Sequence, residues 1–238
     1  MKFKTKISET KDGKHLVRGH DLIDLIKTRT FVEVIFLLLR GVLPNEKEKV
    51  LFDVMLVASV ENGIEAPSVY VPRIVAASGN NAHVALAAGM LSIGEKHGGA
   101  AEEAAQFFKD HEDEKAVDII EEHRNDIIPG FGHKIYKEED PRAKALYEKA
   151  KELDFSCRYF DLAYQIGKEL ASKKGKELPL NIDGAIACIM LELGFDVKLG
   201  KSLFLISRIV GMSAHVLEEM NQNNSYYRLE EGDVTYEK

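Results

Sequence analysis

Ile128-Pro129-Gly130-Phe131-Gly132-His133-Lys134-Ile135-Tyr136-Lys137-Glu138-Glu139-Asp140-Pro141-Arg142 is the stretch from which this chain is best read. Gly130 and Gly132 permit backbone angles that strain other residues, so the main chain can approach a ligand closely. The turn presents His133, whose imidazole exchanges a proton near neutrality. Arg142 follows at short range, with a planar guanidinium able to grip a carboxylate through two hydrogen bonds. Together these groups suit acid–base chemistry on an anionic substrate. Gly130-x-Gly132 is not part of GxGxxG and follows no predicted strand, and neither GxxxxGK[ST] nor GxSxG occurs. Nucleotide and serine hydrolysis therefore drop out.

Outward from this stretch, helical periodicity dominates. Residues 3–7 and 15–18 alternate around Lys11-Asp12-Gly13 and predict a small N-terminal β-hairpin. Asp21 to Ile26 starts a short helix. Thr30 to Leu39 has an N-cap at Thr30, an acid at Glu33 and a stop at Arg40-Gly41. Leu43-Pro44-Asn45-Glu46 opens a third helix reaching about Glu61, and Val69 to Ala77 is helical despite Pro72. Asn81 to Glu95, rich in alanine with Gly89 and Gly94 inside it, predicts a buried, closely packed helix. Further helices are expected over 100–109, 114–125, 143–151, 159–173, 182–193 and 200–220. The acidic run Asp110-His111-Glu112-Asp113-Glu114 reads as a solvated loop. Fixed-period repeats are absent, and strands are too few for a Rossmann or barrel fold. The fold class is all-α.

At 238 residues, 45% hydrophobic and 30% charged, the chain suits a soluble globular protein with one sizeable core or two modest ones. Its net charge of −7 argues against nucleic-acid binding, so an anionic ligand needs a local cluster of Lys and Arg. Two cysteines, Cys157 and Cys188, form no framework and suggest a reducing compartment. With no signal-peptide pattern and no apolar run long enough for a bilayer, a cytoplasmic protein without membrane contact is expected. No HExxH pair, calcium loop or Cys/His cluster is visible, so no metal is expected.

Asp183, in Leu180-Asn181-Ile182-Asp183-Gly184-Ala185, reads alone in two ways. It is either an N-cap or first-turn carboxylate completing a helix, or a base whose affinity for protons burial raises. His97, heading Gly98-Gly99-Ala100, is likewise either a turn residue beside a glycine cap or a site histidine between two helices. His15, His20, His83, His111 and His123 read as structural or exposed, and His215 as a packed core histidine.

Taken in order, these segments resemble the citrate synthase superfamily. His15-Leu16-Val17-Arg18-Gly19-His20-Asp21-Leu22-Ile23-Asp24-Leu25 is similar to the family's RYRGYDIEDL, and 37–44 to the helix that follows it. Gly94 to Ala100 resembles GPLHGGAN, Ile128 to Arg142 resembles PGFGHRVYKNYDPR, and Asn181-Ile182-Asp183-Gly184 resembles NVD and its sequel. The likeness covers nearly the whole chain. It implies a helical homodimer or higher homo-oligomer, with a large domain (1–98 and 181–238), an inserted small CoA-binding domain (99–180) and an active site in the cleft between them. It also implies the roles. Asp183 acts on the acetyl-CoA methyl proton, His97 stabilises the enolate oxygen, and His133 meets the ketone of oxaloacetate. Arg142, Arg208 and Arg228 bind carboxylates, Arg228 from across the dimer. The turn Gly130-Phe131-Gly132 and Lys134 would meet CoA, a substrate rather than a tightly bound cofactor.

Two departures bear on the reaction. Only about two dozen residues separate Pro44 from Pro67, fewer than in a full citrate synthase, and Gly63 stands where the family's HEFNAS has its histidine. Both features resemble stand-alone citryl-CoA lyases and the C-terminal module of ATP-citrate lyase, the latter also across Gly89 to Ala100. The leading implication is cleavage of citryl-CoA to acetyl-CoA and oxaloacetate, with His133 accepting the hydroxyl proton and room for a citryl-CoA synthetase partner. A minimal citrate or 2-methylcitrate synthase, condensing acetyl-CoA or propionyl-CoA with oxaloacetate, is the alternative. A non-catalytic CoA-binding subunit is the third.

Overall fold

The structure, a computed structural model, describes residues 1–94, 97–222 and 224–237. It is mainly helical, with a three-stranded antiparallel sheet at the N-terminus. Strands β1 (Ser8–Lys11) and β2 (Lys14–Val17) pair with Lys11 opposite Lys14. Asp12 and Gly13 make the two-residue turn, both at positive φ, 50° and 73°. That register corrects the hairpin expected over residues 3–7 and 15–18: a two-residue turn obliges 14–17 to pair with 8–11. A short β3 (His20–Asp21) completes the sheet.

The chain divides into two compact units, Met1–Ala58 with Ala101–Gly200, and Ser59–Ala100 with Lys201–Lys238. These bounds do not coincide with the expected domains, 1–98 with 181–238 and 99–180. In the first unit, α1 (Leu22–Thr28) is capped by Asp21, which accepts from the Ile23 N–H at 2.9 Å. Helix α2 (Phe31–Arg40) opens on the Thr30–Glu33 capping box and ends at left-handed Gly41. Phe36 on α2, Phe52 on α3 (Glu46–Ala58) and Phe195 form an aromatic knot, with ring centroids 5.1–5.5 Å apart. Helices α6 (Ala100–Asp110), α7 (Ala116–Glu122), α8 (Pro141–Glu152) and α9 (Arg158–Lys174) continue this unit. Helix α10 (Ile182–Glu192) is its centre, since every residue from Gly184 to Met190 is buried. A helix apolar all round has to be wrapped on all sides.

The second unit holds α4 (Pro67–Ala77), α5 (Ala82–Leu91) and nearly all of α11 (Gly200–Gln222). A Cβ on Gly89 would lie 2.8 Å from Met212 Sδ and 3.0 Å from Pro72, so small size is what brings α5 against its neighbours. The expected burial of α5 holds only along that line, however. Ala85 and Gly89 are buried, while Val84, Met90 and Leu91 are exposed in the single chain. Arg73 on α4 donates from Nε to Glu219 at 2.7 Å and also meets Glu218 and Gln222. Burial would raise the Glu219 carboxyl, but hydrogen bonds from Asn224, Tyr227 and Arg73 hold it below the usual range. This buried carboxylate anchors the segment that carries Arg228. His215, expected in the core, instead reaches Glu61 at 3.2 Å on a partly exposed face. No helix among the described residues is long and apolar enough to cross a membrane.

Candidate active site

The glycine turn is built into the first unit by main-chain bonds. Gly130 O accepts from Asn181 N at 2.9 Å, Gly132 N donates to Pro179 O at 2.8 Å, and Asn181 Nδ2 donates to Gly132 O at 3.0 Å. Asn181 is also the N-cap of α10, accepting from Gly184 N at 3.0 Å. One asparagine therefore ties the turn that carries His133 to the helix start that carries Asp183. Gly130 (φ 85°) and Gly184 meet so closely that a Cβ on Gly184 would lie 2.5 Å from Gly130 O. These groups are committed inside the protein, so the turn serves first to mount its histidine. Phe131 likewise faces inward, edge-on to Phe108 at 6.1 Å, while Lys134 is exposed.

His133 Nδ1 accepts from the N–H groups of Ile135 and Tyr136, both at 3.1 Å. A neutral ring so held carries its proton on Nε2. Arg142 Nη2 lies 3.3 Å from that nitrogen. A guanidinium has only donors, so Arg142 Nη2 and His133 Nε2 present two donors side by side. Arg142 is fixed from behind by buried Asp140, through Nε at 3.0 Å and Nη2 at 2.8 Å. Burial would raise the Asp140 carboxyl, but the Arg142 hydrogen bonds hold it below the ordinary carboxylate value. Arg142 is raised chiefly by its bond to Asp140, with the Asp183 carboxylate adding to the field. Tyr136 stacks on His133 with centroids 4.8 Å apart and closes this corner. The corner can bind an anionic, oxygen-rich group and donate two hydrogen bonds to one of its oxygens.

Asp183 occupies the first turn of α10, half-buried, behind the Asn181 cap. In the second unit, His97 Nε2 accepts from Ser68 N at 3.4 Å and lies 2.9 Å from Ser68 Oγ. With Nε2 engaged by an N–H, the proton of a neutral His97 sits on Nδ1. Burial, then the charge of Arg208, lowers His97 below the ordinary imidazole range, so it stays neutral and acts as a donor. Arg208 is buried, donates from Nε to Ser59 O at 3.0 Å, and stacks 4.7 Å from the Phe204 ring centre. Arg228 is exposed and stacks on Tyr226 at 5.1 Å.

Sequence reasoning missed Asp140, Ser68 and Asn181. Asp140 lies before the helix expected from Ala143, and Ser68 meets its histidine across 29 positions. It also expected no metal-binding cluster. Among the described residues, His111, Glu122 and His123 bring one ligand atom each within 4.8 Å of one another. Local spacing hides this group because two separate helix ends create it.

The family model for the citrate synthase C-terminal domain matches residues 44–230. The solved structure of citryl-CoA lyase from Hydrogenobacter thermophilus is similar, with a TM-score of 0.95 and 40% identity, over 99% of this chain and 94% of that one. ATP citrate lyase from Methanothrix soehngenii, solved with citrate and coenzyme A, has a TM-score of 0.91 and 25% identity, over 100% of this chain and 42% of that one. Citrate synthase from Haloferax volcanii is 29% identical over 217 residues, 87% of this chain and 56% of its own length. This chain thus spans little more than half the length of that citrate synthase.

Proposed function

This chain belongs to the citrate synthase family, and on that premise we propose that it is a citryl-CoA lyase, releasing acetyl-CoA and oxaloacetate. The observation that carries the reading is the correspondence with the Hydrogenobacter lyase along almost all of both chains. Gly63 in place of the family's oxaloacetate-binding histidine points the same way.

The mechanism follows from the donors and acceptors. The citryl hydroxyl oxygen receives hydrogen bonds from His133 Nε2 and Arg142, and these bonds strengthen as the oxygen gathers charge. We read His133, held through Nδ1, as an Nε2–H donor, where the sequence expected an acceptor of the hydroxyl proton. We assign that proton to ionised Asp183. The O–H electrons form the ketone, the carbon–carbon bond breaks, and its electrons become the acetyl-CoA enolate. Asp183 then returns the proton to the enolate carbon and is ionised again. His97 Nδ1–H holds the thioester oxygen while it carries enolate charge. Arg142, Arg208 and Arg228 neutralise the carboxylates, with Arg228 contributed by a second copy. CoA takes part as a thioester substrate, met by exposed Lys134 and by the turn Gly130-Phe131-Gly132.

Curated relatives named citrate synthase and 2-methylcitrate synthase favour a second reading, in which the chain condenses an acyl-CoA with oxaloacetate and hydrolyses the product. One experiment separates the two. The purified protein receives citryl-CoA in one reaction and oxaloacetate plus acetyl-CoA in another, and oxaloacetate and free CoA are followed. The lyase reading expects prompt oxaloacetate in the first and no free CoA in the second. Steady release of free CoA in the second reaction establishes the synthase. CoA binding without turnover in either leaves a binding subunit.

A further inference from the structure

Away from the proposed active site, α6 and α7 end beside one another, and His111 and His123 follow directly on their last residues. His111 Nδ1 lies 2.8 Å from the Phe107 carbonyl, and His123 Nδ1 lies 2.9 Å from an Asp126 carboxylate oxygen. Both partners accept only, so each ring places its proton on Nδ1 and leaves a lone pair on Nε2. The two Nε2 atoms nevertheless face each other at 3.2 Å, with the rings nearly perpendicular at 80°. Two bare lone pairs at that distance repel unless something positive joins them.

We propose that His111, His123 and Glu122 bind a divalent transition-metal ion, with zinc the fitting example. Zinc–nitrogen bonds of about 2.0–2.1 Å at a tetrahedral angle put two ligand nitrogens about 3.3 Å apart, close to the 3.2 Å observed. Glu122 offers a third ligand: its carboxylate oxygen lies within the same 4.8 Å grouping, and its exposed side chain can swing inward without unpacking. The bonds from Nδ1 to a carbonyl and a carboxylate are those that orient metal-bound histidines. Phe107 packs on both rings, with centroids at 4.5 and 5.3 Å, and holds the pair rigid. Two helix C-termini supply a negative field that suits a cation. Imidazole ligands select zinc, nickel or copper over magnesium or calcium. Three protein ligands leave one position for water, and the ion clips the end of α6 to the end of α7 across residues 112–121. This site is independent of the lyase reading.

The test uses the full chain, stripped with a chelator and titrated with zinc against a chromophoric competitor. Cobalt is then substituted to read the coordination geometry. The site expects one ion per chain and a cobalt spectrum of tetrahedral intensity. His123→Ala and His111→Ala abolish binding. Glu122→Gln, which removes an exposed ligand and leaves the packing untouched, weakens it. Asp126→Asn, acting only through the orientation of His123, weakens it about 10–100-fold. Absence of competition overturns the proposal, because the rings then share only a proton. Binding of equal strength in the wild type and all four variants also overturns it, because the ion then sits elsewhere.

Discussion

His97 and His133 are given opposite tautomers by their neighbours, and this is the finding at the residue scale that most constrains the chemistry. Ser68 N takes Nε2 of His97, and two N–H groups take Nδ1 of His133. Each histidine thus offers one N–H donor. Burial and Arg208 lower His97 from the ordinary 6.5. Its midpoint, followed by proton NMR of the ring C–H, is therefore expected below 6.5. The unfolded chain then binds the proton more tightly, so His97 subtracts stability as pH falls through 6.5 and below. A midpoint at or above 6.5 would contradict a neutral donor. Asp183→Asn is expected to lower turnover by roughly 10²–10⁴-fold, because an amide cannot carry the proton. CoA affinity, measured by calorimetry, should be unchanged, and a variant with full turnover would remove Asp183 from the mechanism. The sequence left Asp183 between cap and base. The structure gives the cap to Asn181, two residues earlier, and leaves Asp183 in the first turn.

At the scale of elements, caps were the legible part. Thr30–Glu33 and Gly41 act as the sequence predicts, because a cap depends on a few neighbouring residues, while Asp21, expected as the first helical residue, proves to be the cap before it. Strand register was not legible, since it turned on whether Lys11 belonged to the turn or to the strand. The exposure of α5 was also hidden, because an alanine-rich apolar sequence reads as buried whatever covers it. The joint between the glycine turn and α10 is the most demanding contact in the first unit. Gly184→Ala would drive a methyl against Gly130 O, 2.5 Å away, and should cost about 1–3 kcal/mol. Because Asn181 couples the two, the variant should also lose more turnover than CoA affinity. Urea denaturation with parallel kinetics checks both, and an unchanged midpoint would show that the joint has slack.

At the scale of the molecule, family and helical class were legible because several separated segments agree in order, while the two compact units were not. Contacts that cross long stretches of chain, such as Arg73 to Glu219, define those units and leave no mark in local pattern. The exposed apolar residues of α5, Val84, Met90 and Leu91, are 41%, 38% and 86% accessible in a single chain. A second copy is expected to cover them. Replacing Val84 and Leu91 together by Asp should shift sedimentation from dimer to monomer and lower activity with it. A wild-type protein sedimenting as a fully active monomer would refute that assembly. The central claim is the direction of the chemistry, and it is tested most directly by the fate of citryl-CoA in a single reaction. Quenched samples resolved by mass spectrometry should show oxaloacetate and acetyl-CoA rising together as the main products. Citrate and free CoA rising instead would mean that the thioester is hydrolysed, and the protein would be a synthase.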